Sequence, residues 1–301
     1  FFRSRTHPLW KMAATVSNGA AVRQRLRNVI VTGKSGAGKQ PRIDVMVRCF
    51  GFQQLSTGNI FRHFVSTFRN SGFSGRLDSL LHRRLWDRRA EDWIDAEEMK
   101  AHFARYGATG DLNAVVLGAK AEHYLSNGLF VPDNITNELF GAAFAKLGYE
   151  NAVLDGYPRT LEQAKYLQQL LQQNESKVGV AVLVENDDAT ILERTTGRRV
   201  CPACSATYHT VYKPSKDGLC KKCDTPVIQR LDDTEEVLRS RLNEFWTKTG
   251  PMIEYLQSTG TPLITVSGNL PQLNDEAVQE SVMSSLSKVV PLSHLEAQSI
   301  L

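Results

Sequence analysis

The chain has 301 residues, of which 42% are hydrophobic and 23% charged, an ordinary composition for a globular protein. Its longest apolar run, Val178 to Val184, has seven residues, whereas a membrane-spanning helix needs at least ~18. The net charge is +4, but residues 1–43 carry nine Lys or Arg and no acid, so the rest of the chain sums to −5. These values exclude membrane-spanning, fibrous and wholly disordered classes. A basic excess confined to one end also gives no reason to expect a nucleic-acid partner.

Residues 1–27 form the basic segment at the start of the chain. They are rich in Arg, Ser, Thr and Ala and contain no acidic residue, which is typical of an organellar transit segment or its remnant. This interpretation predicts a location in the mitochondrial matrix or another organelle. The alternative is a disordered basic tail without an addressing role, on a cytoplasmic protein.

A glycine-rich segment follows a short β-branched run, Val29 to Val31. It reads Gly-Lys-Ser-Gly-Ala-Gly-Lys and is followed by a segment of helical character. In this context the pattern predicts a phosphate-binding loop, because backbone amides and a helix N-terminus together favour anions. The alternative is a turn that only connects a strand to a helix. The predicted triphosphate-binding residues are Gly33, Gly36, Ala37, Gly38 and Lys39.

The two residues after this loop depart from the usual motif. A Ser or Thr is expected there to hold magnesium, but Gln40 and Pro41 have no hydroxyl group. Pro41 also lacks a backbone N–H. Losing a charge-assisted bond of this kind costs about 1.5–3 kcal/mol, so we expect nucleotide binding to survive better than catalysis.

Four further segments occur in a fixed order: residues 55–62 (Leu-Ser-Thr-Gly-Asn-Ile-Phe-Arg), 128–133, 154–160, and 193–199 together with 230–241. With the glycine-rich loop, they make the chain resemble the long-lid form of the adenylate kinase family, over about 28–66 and 114–290. The resemblance implies a three-layer α/β core of the P-loop kinase type with a parallel sheet. It also implies phosphoryl exchange between ATP and AMP, giving two ADP, with magnesium. The alternative is a catalytically impaired or inactive relative that serves as a structural subunit of a larger assembly.

The resemblance also assigns roles to residues whose chemistry suits phosphoryl transfer, in which cationic groups neutralise spreading negative charge. It places Asp155 as the carboxylate that holds magnesium through water, and Asp232 and Asp233 as lid-closing groups. The family usually has aspartate where this chain has Asn59. The implied catalytic residues are Lys39, Asp155, Arg159, Arg198, Arg230 and Arg241. ATP binding is further implied for Arg194, Arg198 and Gly268. AMP binding is implied for Thr57, Arg62, Gly156, Arg159, Gln163, Arg230 and Arg241.

Four cysteines form two Cys-x-x-Cys pairs, Cys201 with Cys204 and Cys220 with Cys223, separated by 15 residues. This spacing is typical of a structural zinc site. Four thiolates leave no open coordination position, so the metal should fold a small lid rather than take part in chemistry. Two disulfides, or a lid without metal, are the alternatives.

The segment between Arg62 and Val131 has 68 residues, about 45 more than the resemblance implies, and a connection of this length is usually functional. The extra residues, near 68–113, show helical spacing at Leu77 to Leu85 and at Ala96 to Tyr106. They could form half-buried helices packed on the parent lobe. They could instead dock a protein partner, since Trp86 and Trp93 are residues of the type enriched at binding sites.

The predicted organisation is one kinase core interrupted by two smaller units. Buried strands are expected at Ala152 to Leu154, Val178 to Val184 and Leu263 to Val266. The predicted parts are a leader, 1–27; the core, 28–57, 135–198 and 234–290; an AMP-binding lobe, 58–134; a zinc-binding lid, 199–233; and a C-terminal tail, 291–301.

Overall fold

A computed structural model describes residues 19–74, 86–87, 92–93, 96–126, 131–204, 206–230, 233–270 and 274–291. The predicted helical run from Leu77 to Leu85, most of the leader and most of the C-terminal tail lie outside these residues. None of the helices in the described part of the chain is both long and apolar enough to cross a membrane.

The fold is an α/β arrangement around a central parallel sheet. The strands are β1 (Asn28–Thr32), β2 (Gln53–Ser56), β3 (Trp86–Asp87), β4 (Asp92–Trp93), β5 (Ala152–Asp155), β6 (Val178–Glu185), β7 (Arg198–Val200), β8 (Thr207–His209) and β9 (Leu263–Ser267). The helices are α1 (Lys39–Phe50), α2 (Thr57–Arg69), α3 (Ala96–Arg105), α4 (Leu112–Ser126), α5 (Asp133–Ala145), α6 (Leu161–Gln173), α7 (Asp188–Thr196), α8 (Glu235–Ser258) and α9 (Asp275–Leu286).

Five strands form the central sheet in the order β2-β5-β1-β6-β9, and all neighbouring pairs are parallel. Side chains alternate between its two faces, because successive residues of a strand point in opposite directions. Val29 and Val31 pack with α1 and α9, whereas Ile30 packs with the helices on the other face. The predicted three-layer core is confirmed, and strands buried on both faces explain why β6 is a continuous apolar run.

The folded core begins before residue 28, where the sequence analysis placed its boundary. Residues 19–26 are helical, and Val22 and Leu26 are almost fully buried against α1 and β1. The structure therefore assigns the last part of the predicted leader to the core. Its basic residues take part in packing contacts, since Arg23 donates to the carbonyl oxygen of Phe50.

The helices of the predicted AMP-binding lobe pack closely on one another. A side chain at Gly118 of α4 would place its Cβ 2.1 Å from the carbonyl oxygen of Phe64 in α2, so only glycine allows this approach. Helix α3 confirms the predicted helix at Ala96 to Tyr106. It buries Met99 and Phe103 fully, and Phe103 lies 4.9 Å from Phe73 between ring centroids. This part of the insertion is therefore packed on the parent lobe.

Candidate active site

The glycine-rich loop, residues 33–39, connects β1 to α1 and passes over the end of β6. Gly33, Gly36 and Gly38 all have positive φ angles, of 140°, 84° and 100°. A side chain at Gly33 would place its Cβ 2.3 Å from the carbonyl oxygen of Val184. Backbone conformation and packing both exclude a side chain there, so the loop has to begin with glycine.

The N-terminal N–H groups of α1 have no side-chain cap among the described residues. Gly38 occupies the N-cap position, and the first turn contains no acidic residue. In contrast, α6, α7, α8 and α9 each begin with a Thr, Asp or Asn side chain that accepts a backbone N–H. Uncapped donors together with the helix dipole make the start of α1 suited to an anion.

Lys39 folds back onto the loop that precedes it. Its Nζ donates to the carbonyl oxygens of Gly33 at 2.7 Å and Lys34 at 2.8 Å. Burial lowers the pKa of Lys39 to about 8; Asp155 acts in the opposite direction, while Arg159 and Arg198 lower it further. Three other predicted catalytic residues, Asp155, Arg159 and Arg198, therefore lie close enough to Lys39 to act on its charge.

Asp155 lies at the last position of β5, beside the start of the glycine-rich loop. Its Oδ2 accepts a hydrogen bond from Nε2 of Gln54 in β2 at 3.0 Å. Parallel strands end at the same edge of the sheet, which is where open α/β sheets place their ligands. Asp155 therefore lies at the edge where such ligands bind.

Two predicted AMP-binding residues of the core, Thr57 and Arg159, both donate to the carbonyl oxygen of Gly156. Thr57 Oγ1 donates to it at 3.4 Å and Arg159 Nε at 2.8 Å. Both ends of the Gln163 amide are also engaged, because Oε1 accepts the Arg159 N–H at 2.8 Å and Nε2 donates to Asp133 Oδ1 at 2.7 Å. In this structure Gln163 is buried and orients the loop that carries Arg159.

Arg62 lies near the start of α2, one turn after Asn59. Its guanidinium donates to the side-chain oxygen of Asn59 at 2.5 Å. The amide of Asn59 therefore accepts the bond that a carboxylate at this position could accept, but it adds no negative charge beside Arg62. The departure from the family pattern leaves Arg62 oriented.

The residues assigned to the ATP side contact one another across the end of β9. Arg194 donates to the carbonyl oxygen of Gly268 at 3.0 Å and to Oδ1 of Asn269 at 3.1 Å. Arg42 lies beneath them, buried, and donates to the carbonyl oxygen of Gly38 at 2.9 Å. Burial, together with the nearby charge of Arg194, lowers the pKa of Arg42.

Arg198 and Asp233, at the two ends of the predicted lid, form an ion pair. Arg198 Nε donates to Oδ2 of Asp233 at 2.8 Å, and a second bond joins the same two groups. The Asp233 side chain is fully buried, and that of Arg198 is 21% exposed. Asp233 N–H also donates to the carbonyl oxygen of Arg230 at 3.1 Å. Arg241 belongs to α8, but its side chain, like all of Asp232, lies outside the described residues.

The four lid cysteines converge as predicted, with all sulfur atoms within 4.8 Å of one another. The Sγ atoms of Cys201 and Cys223 are 3.4 Å apart, and those of Cys204 and Cys220 are 3.5 Å apart. These distances are too long for a disulfide, about 2.05 Å, so the disulfide alternative is wrong for this structure. A tetrahedral zinc ion with Zn–S bonds of about 2.3 Å places its sulfurs at comparable separations, so the donor set fits zinc.

Tyr208 supports the cysteine cluster from the buried side of the lid. Its hydroxyl donates to Sγ of Cys220 at 3.2 Å and accepts the N–H of Lys221 at 2.7 Å. The Tyr208 side chain is buried beside Cys201 and Cys220. Groups of this kind orient metal ligands and tune their affinity.

Sequence reasoning missed Gln54, Asp133 and Tyr208. Gln54 and Asp133 stand in or beside quoted segments, so polar residues flanking a motif were the available signal. Tyr208 lies between the two cysteine pairs, where a buried aromatic hydroxyl could have been expected to seek a sulfur or carbonyl partner.

A parallel sheet whose first strand continues through a glycine-rich loop into a helix, with a lysine and arginines at its carboxyl edge, defines the class of α/β nucleotide kinases. A sequence model of the family described as Adenylate kinase matches residues 108–261. An adenylate kinase of Caldicellulosiruptor saccharolyticus is 31% identical over 242 residues, covering 80% of this chain and 91% of the relative. One from Ruminiclostridium cellulolyticum is 41% identical over 146 residues, covering 48% and 68%. The chain belongs to the adenylate kinase family, whose members are phosphotransferases.

Proposed function

We propose that the chain transfers the γ-phosphoryl group of ATP to AMP, giving two ADP. The proposal is carried by the grouping of Asp155, Arg159 and Arg198 around Lys39, close enough to act on its charge, in a chain of the adenylate kinase family. Phosphoryl transfer requires mainly that two phosphate chains be positioned in line and that developing negative charge be neutralised. A lysine, two arginines and a carboxylate in one cluster suit that task.

The triphosphate lies along the glycine-rich loop in this proposal. The loop backbone and the uncapped start of α1 donate to phosphate oxygens. Lys39 exchanges its two carbonyl partners for a phosphate oxygen, which favours its charged form. The residues assigned to ATP are Gly33, Gly36, Ala37, Gly38, Lys39, Arg194, Arg198 and Gly268.

The acceptor lies on the side of β2 and β5. An oxygen of the AMP phosphate attacks the γ-phosphorus, the bond to the β–γ bridging oxygen breaks, and ADP leaves with those electrons. Lys39 and the arginines neutralise the charge that spreads over the transferred group, using the paired donors of guanidinium. The residues assigned to AMP are Thr57, Arg62, Gly156, Arg159, Gln163, Arg230 and Arg241.

Two metals belong to the proposal. Asp155 is the carboxylate suited to hold magnesium, which when bound neutralises phosphate charge. Cys201, Cys204, Cys220 and Cys223 hold a structural zinc, which folds the lid. Lid closure over both nucleotides then excludes water from the reaction.

The alternative function is a catalytically impaired subunit of a larger assembly. Gln40, Pro41 and Asn59 favour it, because all three change groups near the phosphates or the magnesium. In that case the insertion near 68–113 is the proposed protein contact. The predicted organellar location rests on the composition of residues 1–27 and stays a prediction.

A coupled ADP assay with purified chain, ATP, AMP and magnesium separates the two functions. We expect turnover above ~1 s⁻¹, toward the low end of ordinary enzymes. The matched control is Lys39→Met, which keeps an unbranched side chain, shorter by one atom, and removes its charge. Turnover equal to that of the control would reject the proposed kinase activity and favour the alternative of a catalytically impaired subunit.

A further inference from the structure

Two glutamine side chains lie between the start of α1 and Asp155, next to the position where the family's hydroxyl group is missing. Gln40 follows Lys39 in the first turn of α1, and Gln54 lies in β2. Gln40 Nε2 donates to Gln54 Oε1 at 3.1 Å, and Gln54 Nε2 donates to Gln40 Oε1 at 3.0 Å. The two amides therefore form a reciprocal pair.

Each glutamine of this pair also donates a hydrogen bond to a carboxylate. Gln40 Nε2 also donates to Asp44 Oδ1 at 2.8 Å, and Gln54 Nε2 also donates to Asp155 Oδ2 at 3.0 Å. An amide nitrogen carries two hydrogens, so all four N–H bonds of the pair have an acceptor. Reversing either amide would place its oxygen against a carboxylate oxygen, and this repulsion fixes the direction of the whole chain of bonds.

One of the two carboxylate oxygens of Asp155 is therefore already occupied by a hydrogen bond. Oδ2 accepts from Gln54, whereas Oδ1 has no hydrogen-bond donor among the described residues. Partners of this kind set the orientation of a metal-binding carboxylate, and removing them typically costs ~10–100-fold in metal affinity.

We propose that the Gln40–Gln54 amide pair is a positioning device that holds Asp155 with Oδ1 available to magnesium, and so compensates for the hydroxyl ligand that Gln40 and Pro41 do not supply. The inference rests on the proposed function for its ligand, the magnesium–nucleotide complex. Gln40 acts on Asp155 only through Gln54, so the effects of changing the two glutamines should not add.

The experiment measures how much magnesium strengthens nucleotide binding. The full chain is titrated with the β,γ-imido analogue of ATP by calorimetry, once with excess magnesium and once with EDTA, and the ratio of the two Kd values is the metal-dependent gain. We expect Gln54→Leu to reduce this gain about 10-fold, at the lower limit for partners of a metal ligand, and Gln40→Ala to reduce it by less. The double variant should equal Gln54→Leu alone.

The control is Gln172→Ala, which removes an exposed glutamine of α6 far from the loop and should leave the gain unchanged. Thermal unfolding checks that each variant is folded. Gln40 is exposed and Gln54 is half-buried, so we expect both substitutions to be tolerated. An unchanged gain in Gln54→Leu, or strictly additive losses in the double variant, would overturn the inference. Turnover is measured separately. A chain without turnover whose variants still show the expected non-additive losses of metal-dependent affinity would reject the proposed function but support the positioning role.

Discussion

The two halves of the candidate site are held in place by different forces. Asp155 ends β5, and Lys39 follows β1 through the glycine-rich loop. Ile30 of β1 and Leu154 of β5 are fully buried, and helices cover both faces of the sheet. Arg198 stands at the border of the predicted lid, whose buried cluster, in the described part of the chain, consists of Cys201, Tyr208 and Cys220. The core half has an extensive apolar interior, whereas the lid half has its cysteines and the Arg198–Asp233 ion pair. The lid should therefore be separable from the core.

The largest expected effect comes from removing one zinc ligand. Cys220→Ser should release the metal and unfold the lid, because structural zinc contributes on the order of 10–16 kcal/mol to domains of this kind. The core should stay folded, since its apolar packing is untouched. Metal analysis and scanning calorimetry check both statements, with turnover as a third readout.

The control for this variant is Cys49→Ser, in α1. Cys49 packs against the apolar cluster of the core, so its hydroxyl should lower the core transition and leave the zinc content unchanged. If Cys220→Ser instead lowered the core transition as much as the lid, or if wild-type chain contained no zinc, the distinction between the two halves would fail.

The second largest effect is expected from breaking the ion pair between Arg198 and Asp233. Arg198→Met leaves Asp233 charged and fully buried without its partner, a change that costs about 3–5 kcal/mol. Adding Asp233→Asn should recover most of this stability, because the uncompensated charge is gone, but it should not recover turnover. Urea unfolding monitored in the lid and the ADP assay measure the two outcomes. Recovery of both together would show that Arg198 has only a structural role.

The same division governs how much could be predicted from the sequence. The buried strands, the glycine-rich loop and the cysteine cluster were predictable, because each has a local pattern: an apolar run, a turn of fixed spacing, or paired ligands. The resemblance supplied Arg159, Arg194 and Arg198. The bond from Gln54 to Asp155 was not predictable, since it joins residues 101 apart in the chain and depends on strand order. For Tyr208 the sequence indicated a sulfur or carbonyl partner but not which one, because the choice of Cys220 depends on the packing of the lid.

The boundary at residue 27 was misplaced for a related reason. Composition suggested a tail, because residues 19–27 are basic and contain few large apolar residues. The structure buries Val22 and Leu26 against the core, and two well-spaced apolar residues are enough to pack a short helix. A count of residue types does not show this spacing.

A smaller effect is expected from the hydroxyl that supports the zinc ligands. Tyr208→Phe removes the bond to Cys220 Sγ without creating a cavity, so we expect zinc affinity to fall ~10-fold while the lid stays folded. Competition with a chromophoric chelator measures the affinity. Tyr212→Phe is the matched control, because the Tyr212 hydroxyl bonds to Glu193 and not to a cysteine. Equal zinc affinity in the two variants would show that the Tyr208 hydroxyl does not support the metal site.

The smallest effect is the pH dependence of nucleotide binding, and it belongs to the core half. Burial lowers the pKa of Lys39 to about 8, so the side chain is charged below that pH and neutral above it. A bound phosphate favours the charged form and raises the pKa. Affinity for the imido analogue should therefore be constant below pH 8 and fall above it, by at most tenfold per pH unit, or ~1.4 kcal/mol.

Calorimetry in two buffers of different ionisation enthalpy checks this directly, because binding at pH 9 should take up a proton that the buffer supplies. Lys39→Met should bind more weakly and take up none. The zinc site provides an internal comparison, since Tyr208→Phe should leave the proton uptake unchanged while it lowers the affinity for zinc. Proton uptake that persists in Lys39→Met would mean that another group titrates, and that the low pKa of Lys39 does not control binding.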